Sequence, residues 1–234
     1  MSFRFRQFTV ADDRCAMKVG TDAVLLGCWC PIGAARKILD IGTGSGVIAL
    51  IAAQRSPEAH IDAIDIDAEA VKQSQDNFRL SPWAERLTGR HISVQEWSAE
   101  QSATYDLIIS NPPYFVDSQK NPDPGRQTAR HTDTLSYEVL IASAARLLQP
   151  QGVLALILPA EAETQVIALA RAEGLSPTRL TRVHSKPGKP AKRILIALRK
   201  GASETMPTAE TLYIESAHSP RSEEYAKLTR DFYL

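Results

Sequence analysis

A short apolar segment that breaks into a glycine-rich loop and resumes at helical spacing constrains the fold more than any other feature of this chain. Lys37 to Ile41 has the sequence K-I-L-D-I, Gly42 to Gly46 has the sequence G-T-G-S-G, and apolar residues follow from Val47. Strand, glycine loop and helix in this order are typical of the ligand-binding turn of open α/β sheets. A G-x-G-x-G run alone is a weak signal, because a plain tight turn has the same composition. Strand-like and helix-like segments alternate along the chain, which predicts a doubly wound sheet.

Two carboxylates indicate which ligand this turn binds. Asp40 stands at the mouth of the loop, where its charge would repel a pyrophosphate but suit an ammonium group. Asp65 ends the next predicted strand, His60 to Ile64. It lies at about the distance from the glycines, ~20 residues, at which an acid binds ribose hydroxyls. A ligand with an amino group, a ribose and no phosphate matches S-adenosylmethionine, which we predict as the cofactor.

The tetrapeptide Asn111-Pro112-Pro113-Tyr114 directly follows the apolar run Tyr105 to Ser110. That run predicts a buried parallel strand, so the tetrapeptide stands at a strand's carboxyl end. Each proline favours extended geometry in the residue before it, which turns the carbonyl groups of Asn111 and Pro112 toward a pocket. Two oxygen acceptors beside the ring of Tyr114 suit a planar group that carries an NH2. We predict Asn111, Pro112 and Tyr114 as catalytic residues; the alternative for this run is a rigid turn.

The order D-I-G-T-G-S-G, I-D-I-D and S-N-P-P-Y resembles the class I methyltransferases that act on planar exocyclic or amide nitrogens. The segments F-R-F-R-Q-F-T-V, K-V-G-T-D-A-V-L-L, S-N-P-P-Y-F and E-Y-A-K-L-T-R-D-F-Y-L together resemble the bacterial family that methylates the adenine beside the anticodon of valine tRNA. The resemblance implies a Rossmann-like, mostly parallel seven-stranded sheet with a C-terminal antiparallel hairpin. It also implies S-adenosylmethionine-dependent methylation of the exocyclic amino group of an adenine in tRNA, 3′ of the valine anticodon.

The resemblance adds residues to the predicted cofactor site. In such enzymes the segment from Lys18 to Ala23 holds the methionine end, although Thr21 or Asp22 would equally serve as a helix cap. Ser93 stands where related enzymes have an acid that contacts the adenine, and the backbone of Val94 would substitute for it. The predicted cofactor-binding residues are Lys18, Thr21, Asp40, Gly42, Gly44, Gly46, Asp65, Ser93, Val94 and Asn111.

Four other functions share parts of this pattern. Ribosomal-RNA guanine N2 methyltransferases more often have a tetrapeptide that ends in Phe. Protein glutamine methyltransferases carry an N-terminal helical domain, and only Met1 to Ile41 precede the glycine loop here. DNA adenine methyltransferases usually carry a separate target-recognition domain. From another class, a non-catalytic RNA-binding module on a methyltransferase fold would not need the intact Asp40, glycines and Asn111.

The element pattern predicts a methyltransferase domain over residues 1–200 and a tail over 201–234 that packs on it. The remaining predictions are a helix over 68–78 capped by Asp67, a strand over 87–94, a long loop over 115–132, a helix over 135–148, a strand over 153–158, a helix over 160–173, a hairpin of 175–183 with 193–198, a tail strand over 211–214 and a tail helix over 222–229.

Composition excludes several functional classes. Hydrophobic content of 44% and charged content of 23% are ordinary for a globular chain. No apolar run approaches the ~20 residues of a membrane span, and the N-terminus has no signal-peptide pattern, which predicts a cytoplasmic protein without membrane contact. Cys15, Cys28 and Cys30 lack zinc or redox spacing, so we predict no metal and buried thiols.

A net charge of zero means that a nucleic acid must bind to a local basic patch. Eight basic residues and no acid lie between positions 179 and 200: Arg179, Arg182, Lys186, Lys189, Lys192, Arg193, Arg199 and Lys200. Arg4, Arg6 and Arg14, interleaved with Phe3, Phe5 and Phe8, form a second basic-aromatic stretch, and Lys120, Arg126, Arg130 and His131 follow Tyr114. These patches suit phosphate contacts with tRNA, and a solvated hairpin is the alternative for the first of them.

Overall fold

The computed structural model describes residues 2–113, 135–201, 203, 205–216 and 218–234. The strands are β1 (Ser2–Arg4), β2 (Thr9–Ala11), β3 (Lys37–Ile41), β4 (His60–Asp65), β5 (Leu87–His91), β6 (Tyr105–Ser110), β7 (Leu148–Pro159), β8 (Leu175–His184), β9 (Ala191–Lys200) and β10 (Glu210–Tyr213). The helices are α1 (Thr21–Trp29), α2 (Val47–Arg55), α3 (Ala68–Arg79), α4 (Val94–Glu100), α5 (Tyr137–Leu147), α6 (Glu163–Ala172) and α7 (Glu223–Thr229), with 3-10 turns at Ala84–Arg86 and Ala160–Ala162.

Eight strands form one sheet in the order β10-β8-β9-β7-β6-β3-β4-β5, while β1 and β2 form a separate antiparallel pair. The strands from β7 to β5 run parallel, and β9 lies antiparallel between β7 and β8. The predicted mostly parallel sheet with a C-terminal antiparallel hairpin is confirmed. The predicted tail strand adds to the seven expected strands, because β10 pairs in parallel with β8 at the sheet edge.

Both faces of the sheet are covered, as the near-continuous apolar strands require. One buried cluster packs α1 and α2, with residues such as Leu26 and Leu50, on one face. The other packs α4, α5 and α6, with residues such as Trp97 and Ile141, on the opposite face. In the part of the chain that the structure describes, we find no helix with the length and apolarity that crossing a bilayer would take.

Local sequence signals set most element boundaries. The strands predicted over 37–41 and 105–110 are found with those bounds, and Asp67 caps α3 by accepting from the backbone N–H groups of Glu69 and Ala70 at 2.9 and 3.4 Å. The strand predicted over 87–94 is too long, because β5 ends at His91 and a new helix follows.

Residues near the beginning of the described chain are hydrogen-bonded to residues near its end. The backbone N–H of Arg6 donates to the carbonyl of Phe232 at 2.9 Å, and the Arg6 Nε donates to the carbonyl of Tyr233 at 2.7 Å. Phe5 and Phe8 are buried and stack on each other with ring centroids 4.5 Å apart. These phenylalanines therefore belong to the core and are not available to tRNA, so the predicted basic-aromatic stretch can use neither of them.

Candidate active site

The strand order reverses at β3, which has β4 on one side and β6 on the other, and such a switch point opens a crevice at the carboxyl ends of the strands. Ile41 and Ser110, the last residues of β3 and β6, are register partners. The Ser110 hydroxyl donates to the carbonyl of Ile41 at 2.8 Å and holds the two strand ends together. Gly42 and Asn111 follow directly, so the structure brings the glycine loop and the tetrapeptide to one point.

The glycines of the loop perform two different tasks. Gly42 and Gly44 have φ values of 71° and 52°, and a side chain added to either would meet nothing within 4 Å. Their missing side chains leave open space, which is what a ligand lying against the backbone needs. Gly46, at φ 82°, instead faces the ring of Phe78, into which an added Cβ would clash. Gly42 and Gly44 fit the predicted cofactor role, whereas Gly46 lets α2 pack closely on α3.

Asp40 is fully buried beneath this loop. Its Oδ2 accepts a hydrogen bond from the Thr43 hydroxyl at 2.7 Å, and its Oδ1 makes no bond of hydrogen-bonding geometry within the described residues. Burial raises the pKa of this carboxyl to about 7, while the Thr43 hydroxyl and the backbone at Ala49 act in the opposite direction. The backbone N–H of Ala49 lies near the carboxyl without reaching hydrogen-bonding geometry, so Oδ1 is incompletely satisfied, which costs free energy unless a ligand supplies a donor. An ammonium group would supply both the missing donor and the opposite charge.

Asp65 connects the loop to the end of β4. Its Oδ2 accepts from the backbone N–H of Gly44 at 2.9 Å, and its Oδ1 accepts from the backbone N–H of Asp67 at 3.0 Å. Each carboxylate oxygen keeps a further lone pair after these bonds. The half-buried carboxylate is therefore fixed in place and still able to accept from a pair of ribose hydroxyls.

Ser93 and Val94 lie at the start of α4, where Ser93 forms a capping box with Glu96. The Ser93 hydroxyl accepts from the backbone N–H of Glu96 at 3.2 Å and donates to its carboxylate at 2.7 Å. Bonds from the hydroxyl and backbone N–H of Ser93 lower the pKa of the Glu96 carboxyl. The hydroxyl of Ser93 is thus engaged in capping. The N–H of Val94 is a first-turn donor with no acceptor within its own helix, which favours Val94 for a cofactor contact.

The segment that precedes α1 is held by hydrogen bonds within the protein. The ammonium group of Lys18 donates to the carbonyls of Asp12 and Cys15 at 2.6 and 3.3 Å, so it braces its own loop. Thr21 is exposed as the first residue of α1, and Gly20 takes the cap position without a side-chain bond, so neither Thr21 nor Asp22 caps the helix. Lys18 therefore holds the shape of the loop, and its contact with the cofactor stays a prediction.

Asn111 is half-buried and Pro112 is buried at the carboxyl end of β6, beside the glycine loop. Tyr114, predicted to stack on the substrate, lies outside the described residues, and so do Lys120, Arg126, Arg130 and His131. The two predicted oxygen acceptors thus stand at the crevice that the switch point creates.

Ile66 was not predicted as a site residue. It follows Asp65 directly and leaves 57% of its side chain exposed, which is unusual for a large aliphatic residue at a strand end. An apolar side chain beside the carboxylate that suits ribose offers a flat surface for the attached base. The sequence signal was an aliphatic residue between two acids immediately after an apolar strand.

Half of the residues in the predicted basic patch form ion pairs or hydrogen bonds within the protein. Arg179, Arg182 and Arg193 form ion pairs with Glu210, Glu163 and Asp22 at 2.9, 2.6 and 2.9 Å, and Lys200 donates to the carbonyls of Ala145 and Leu148. Lys186, Lys189, Lys192 and Arg199 are exposed. Arg6 and Arg14 are likewise engaged, by Tyr233 and Asp76.

A family model described as the methyltransferase small domain matches residues 20–172. Two curated proteins named tRNA1(Val) (adenine(37)-N6)-methyltransferase are each 47% identical to the chain. The protein from Parabacteroides distasonis matches over 99% of this chain and 97% of its own length, and that from Tolumonas auensis over 100% and 97%. The chain belongs to this methyltransferase family.

Two solved structures show the same fold at lower identity. An Agrobacterium tumefaciens protein described as a predicted O-methyltransferase superposes with a TM-score of 0.73 at 21% identity, over 90% of this chain and 96% of its own. Geranyl diphosphate methyltransferase in complex with S-adenosylmethionine gives 0.54 at 13% identity, over 75% and 82%. The resemblance noted from the sequence is confirmed at the level of family and fold.

Proposed function

We propose that this protein transfers a methyl group from S-adenosylmethionine to the exocyclic N6 of adenine 37 in tRNA1(Val). The observation that carries the proposal is the placement of Asn111 and Pro112 beside the glycine loop in a chain that matches its curated relatives over nearly its whole length. The relatives' name supplies the tRNA and the base position. The geometry of the crevice supports the chemistry.

The residues at the crevice fit the cofactor. Asp40 supplies an acceptor for the ammonium group through its Oδ1, and the backbone at Gly42 and Gly44 leaves room for the ligand. Asp65 accepts from the ribose hydroxyls, and Ile66 and Val94 contact the adenine on its face and edge. When bound, S-adenosylmethionine supplies a methyl group already activated by a positively charged sulfur.

Asn111 and Pro112 hold the substrate amine. An exocyclic amine is a poor nucleophile because its lone pair is delocalised into the ring. The Asn111 side-chain oxygen and the Pro112 carbonyl accept the two N–H groups, which favours a pyramidal nitrogen with a localised lone pair. Orientation contributes much of the rate enhancement, because it replaces a chance encounter by a fixed approach. No strong base is required, since the proton leaves after transfer, when the nitrogen is cationic.

The target base must leave its stack to reach this crevice. Unstacking costs a few kcal/mol, and stacking on an aromatic side chain such as Tyr114 returns ~1–3 kcal/mol. The two nearly balance, so an unpaired base is the favoured target. An adenine beside an anticodon meets this requirement.

Incubating the protein with an unmodified tRNA1(Val) transcript and labelled cofactor tests the proposal. Mass spectrometry of the digested nucleosides should find N6-methyladenosine at position 37, and a matched transcript with guanosine at that position should stay unlabelled. Label on a guanine would instead support the ribosomal-RNA type of activity. RNA binding without cofactor binding in calorimetry would indicate a non-catalytic RNA-binding module.

A further inference from the structure

The turn between β8 and β9, residues 185–190, lies at the same edge of the sheet as the crevice. Arg193, near the start of β9, pairs with Pro159 at the carboxyl end of β7, and also with Val183 near the end of β8. Because β7 runs parallel to β6, this carboxyl end and the one that precedes Asn111 face the same way. The turn therefore projects from the sheet on the side where the substrate base would bind.

The lateral offset between the turn and the crevice suits a nucleic acid strand. Three strand spacings of about 4.8 Å separate β6 from β8, which gives ~14 Å along the edge. At 3.4 Å per nucleotide, a stacked strand covers this distance in about four nucleotides. A strand whose base is held at Asn111 thus has its neighbouring phosphates within reach of the turn.

Three exposed lysines occupy this turn and its flank: Lys186, Lys189 and Lys192. We call them the turn lysines. Arg182 and Arg193, which lie next to them on β8 and β9, are neutralised by ion pairs with Glu163 and Asp22. Two exposed acids, Glu161 and Glu215, share this edge, so the positive charge is confined to the tip of the turn.

Hydrogen bonds within the protein hold the turn in a defined conformation. The backbone N–H of Lys189 donates to the carbonyl of Lys186 at 3.2 Å, and the ring Nδ1 of His184 lies 2.7 Å from the carbonyl of Lys189. The tail after β10 continues the pairing of β10 with β8. The N–H groups of Ile214 and Glu215 donate to the carbonyls of His184 and Ser185, each at 2.9 Å. A turn held in this way keeps its lysines at a fixed distance from the crevice.

Between the turn and the tail lies an open concavity of about 440 Å³, with Lys186 and Pro187 on one side and Ser216, His218 and Ser219 on the other. Its lining offers a cation and hydroxyl groups, the groups that contact phosphate and sugar oxygens, together with the carboxylate of Glu215, which would repel a phosphate. The concavity therefore adds hydroxyl contacts beside the turn lysines, and the positive charge comes from the lysines themselves.

We propose that the turn lysines bind phosphates of the tRNA strand beside the target adenine and so set the register of that strand on the crevice. The proposal rests on the proposed function. Phosphate contacts fix position and orientation without reading sequence. The turn lysines therefore supply affinity and placement, and the crevice selects the base.

Arg199 provides a matched control. It lies on the same strand as Lys192 and is exposed as well, but it stands seven residues further along β9. At ~3.3 Å per residue it is ~23 Å away, at the opposite edge of the sheet. An Arg199→Ala variant removes one exposed charge from the same strand without touching the proposed surface.

The test compares Lys186→Ala/Lys189→Ala/Lys192→Ala with Arg199→Ala in tRNA binding and methylation across a salt series. The triple variant should lower the slope of log Kobs against log salt by about 2–3, since each phosphate contact contributes ~0.7–0.9. At low salt its KM for tRNA should rise at least about tenfold because phosphate binding is lost, and kcat should fall as well because strands bound out of register do not react. The Arg199→Ala variant should match the wild type in all three quantities.

Cofactor affinity, measured by calorimetry, verifies that the triple variant is folded, and Lys189→Ala alone should still reduce the slope by about 0.7–0.9. An unchanged salt slope in a folded triple variant overturns the role of the turn lysines while leaving the methylation intact. A wild-type protein that neither binds nor methylates tRNA overturns the proposed function itself, so the two failures are distinct.

Discussion

The two edges of the central sheet differ in how they use their charged groups. At the amino edge, arginines satisfy the carbonyls at helix ends. Arg55 donates to the carbonyls of Gly27 and Cys30, and Arg86 donates to three carbonyls between Ala53 and Ala59 at 2.7–3.0 Å. At the carboxyl edge, Asp40 keeps an oxygen without a partner among the described residues. Gln54 Oε1, at the amino edge, also has no partner among the described residues, so an unmatched oxygen indicates a ligand site only where, as at Asp40, it lies beneath open glycine backbone.

A substitution at the carboxyl edge tests this comparison most directly. Replacing Asn111 by Ala should reduce kcat about 10²- to 10³-fold, the size of effect seen when one preorganised hydrogen-bonding group is removed from an active site. Affinity for S-adenosylmethionine should change by less than about threefold, because Asp40 and the glycines remain. A tritium-transfer assay beside equilibrium dialysis measures both quantities.

An Asn111→Asp variant serves as the control, because it keeps an oxygen acceptor while it loses the amide donor and gains a negative charge. It should retain more activity than Asn111→Ala. Full activity in the alanine variant would remove Asn111 from the mechanism.

Asp40 predicts a pH dependence of stability. Its pKa is about 7 in the folded protein, against 3.8 for an ordinary Asp, because the carboxyl is buried. Between pH 4 and pH 7 the folded state therefore holds a proton that the unfolded chain has released. The free energy of unfolding should fall as the pH rises through this window, by roughly 2–4 kcal/mol from this group.

Urea unfolding of the wild type and of Asp40→Asn across this pH range isolates the effect, since the amide cannot titrate. Saturating S-adenosylhomocysteine, which carries the same ammonium group, should flatten the wild-type dependence. Parallel pH profiles for the two ligand-free proteins would show that Asp40 is ionised and satisfied without a cofactor.

A substitution at the amino edge should lower stability without lowering activity, and this effect should be the smallest of the three. Replacing Arg86 by Ala removes donors to the carbonyls of Ala53, Ser56 and Ala59, which should lower the free energy of unfolding by about 1–2 kcal/mol. The kcat per folded molecule should stay at the wild-type value at 25 °C. A loss of kcat without a loss of stability would contradict the division between the two edges.

Local patterns predicted the strands that carry the candidate site better than they predicted its electrostatics. The strand that carries Asp40 and the strand that precedes Asn111 were correct because apolar runs bounded by glycine or proline specify them. The register that joins Ile41 to Ser110 depends on the order of strands in the sheet. Burial of Asp40, and hence its raised pKa, follows from that order and is not visible in the sequence.

The errors have related causes. The strand predicted over 87–94 failed because Ser93 and Glu96 form a capping box, a short-range signal that the apolar pattern concealed. The ion pair between Arg193 and Asp22 joins residues that are 171 positions apart. The sequence therefore did not show that Arg193 is engaged within the protein. The bonds of Lys18 to the carbonyls of Asp12 and Cys15 depend on the local path of the chain, which the sequence did not show.

The junction between Arg6 and residues 232–233 has a consequence for synthesis on the ribosome. Further along the same segment, Ala11 and Arg14 bond to Asn77 and Asp76 of α3, whereas Arg6 depends on a partner made more than two hundred residues later. The glycine loop and both of its neighbouring strands emerge long before that partner exists. A nascent chain could thus dock β2 on α3 early and fix the residues around Arg6 only after Phe232 and Tyr233 have left the exit tunnel.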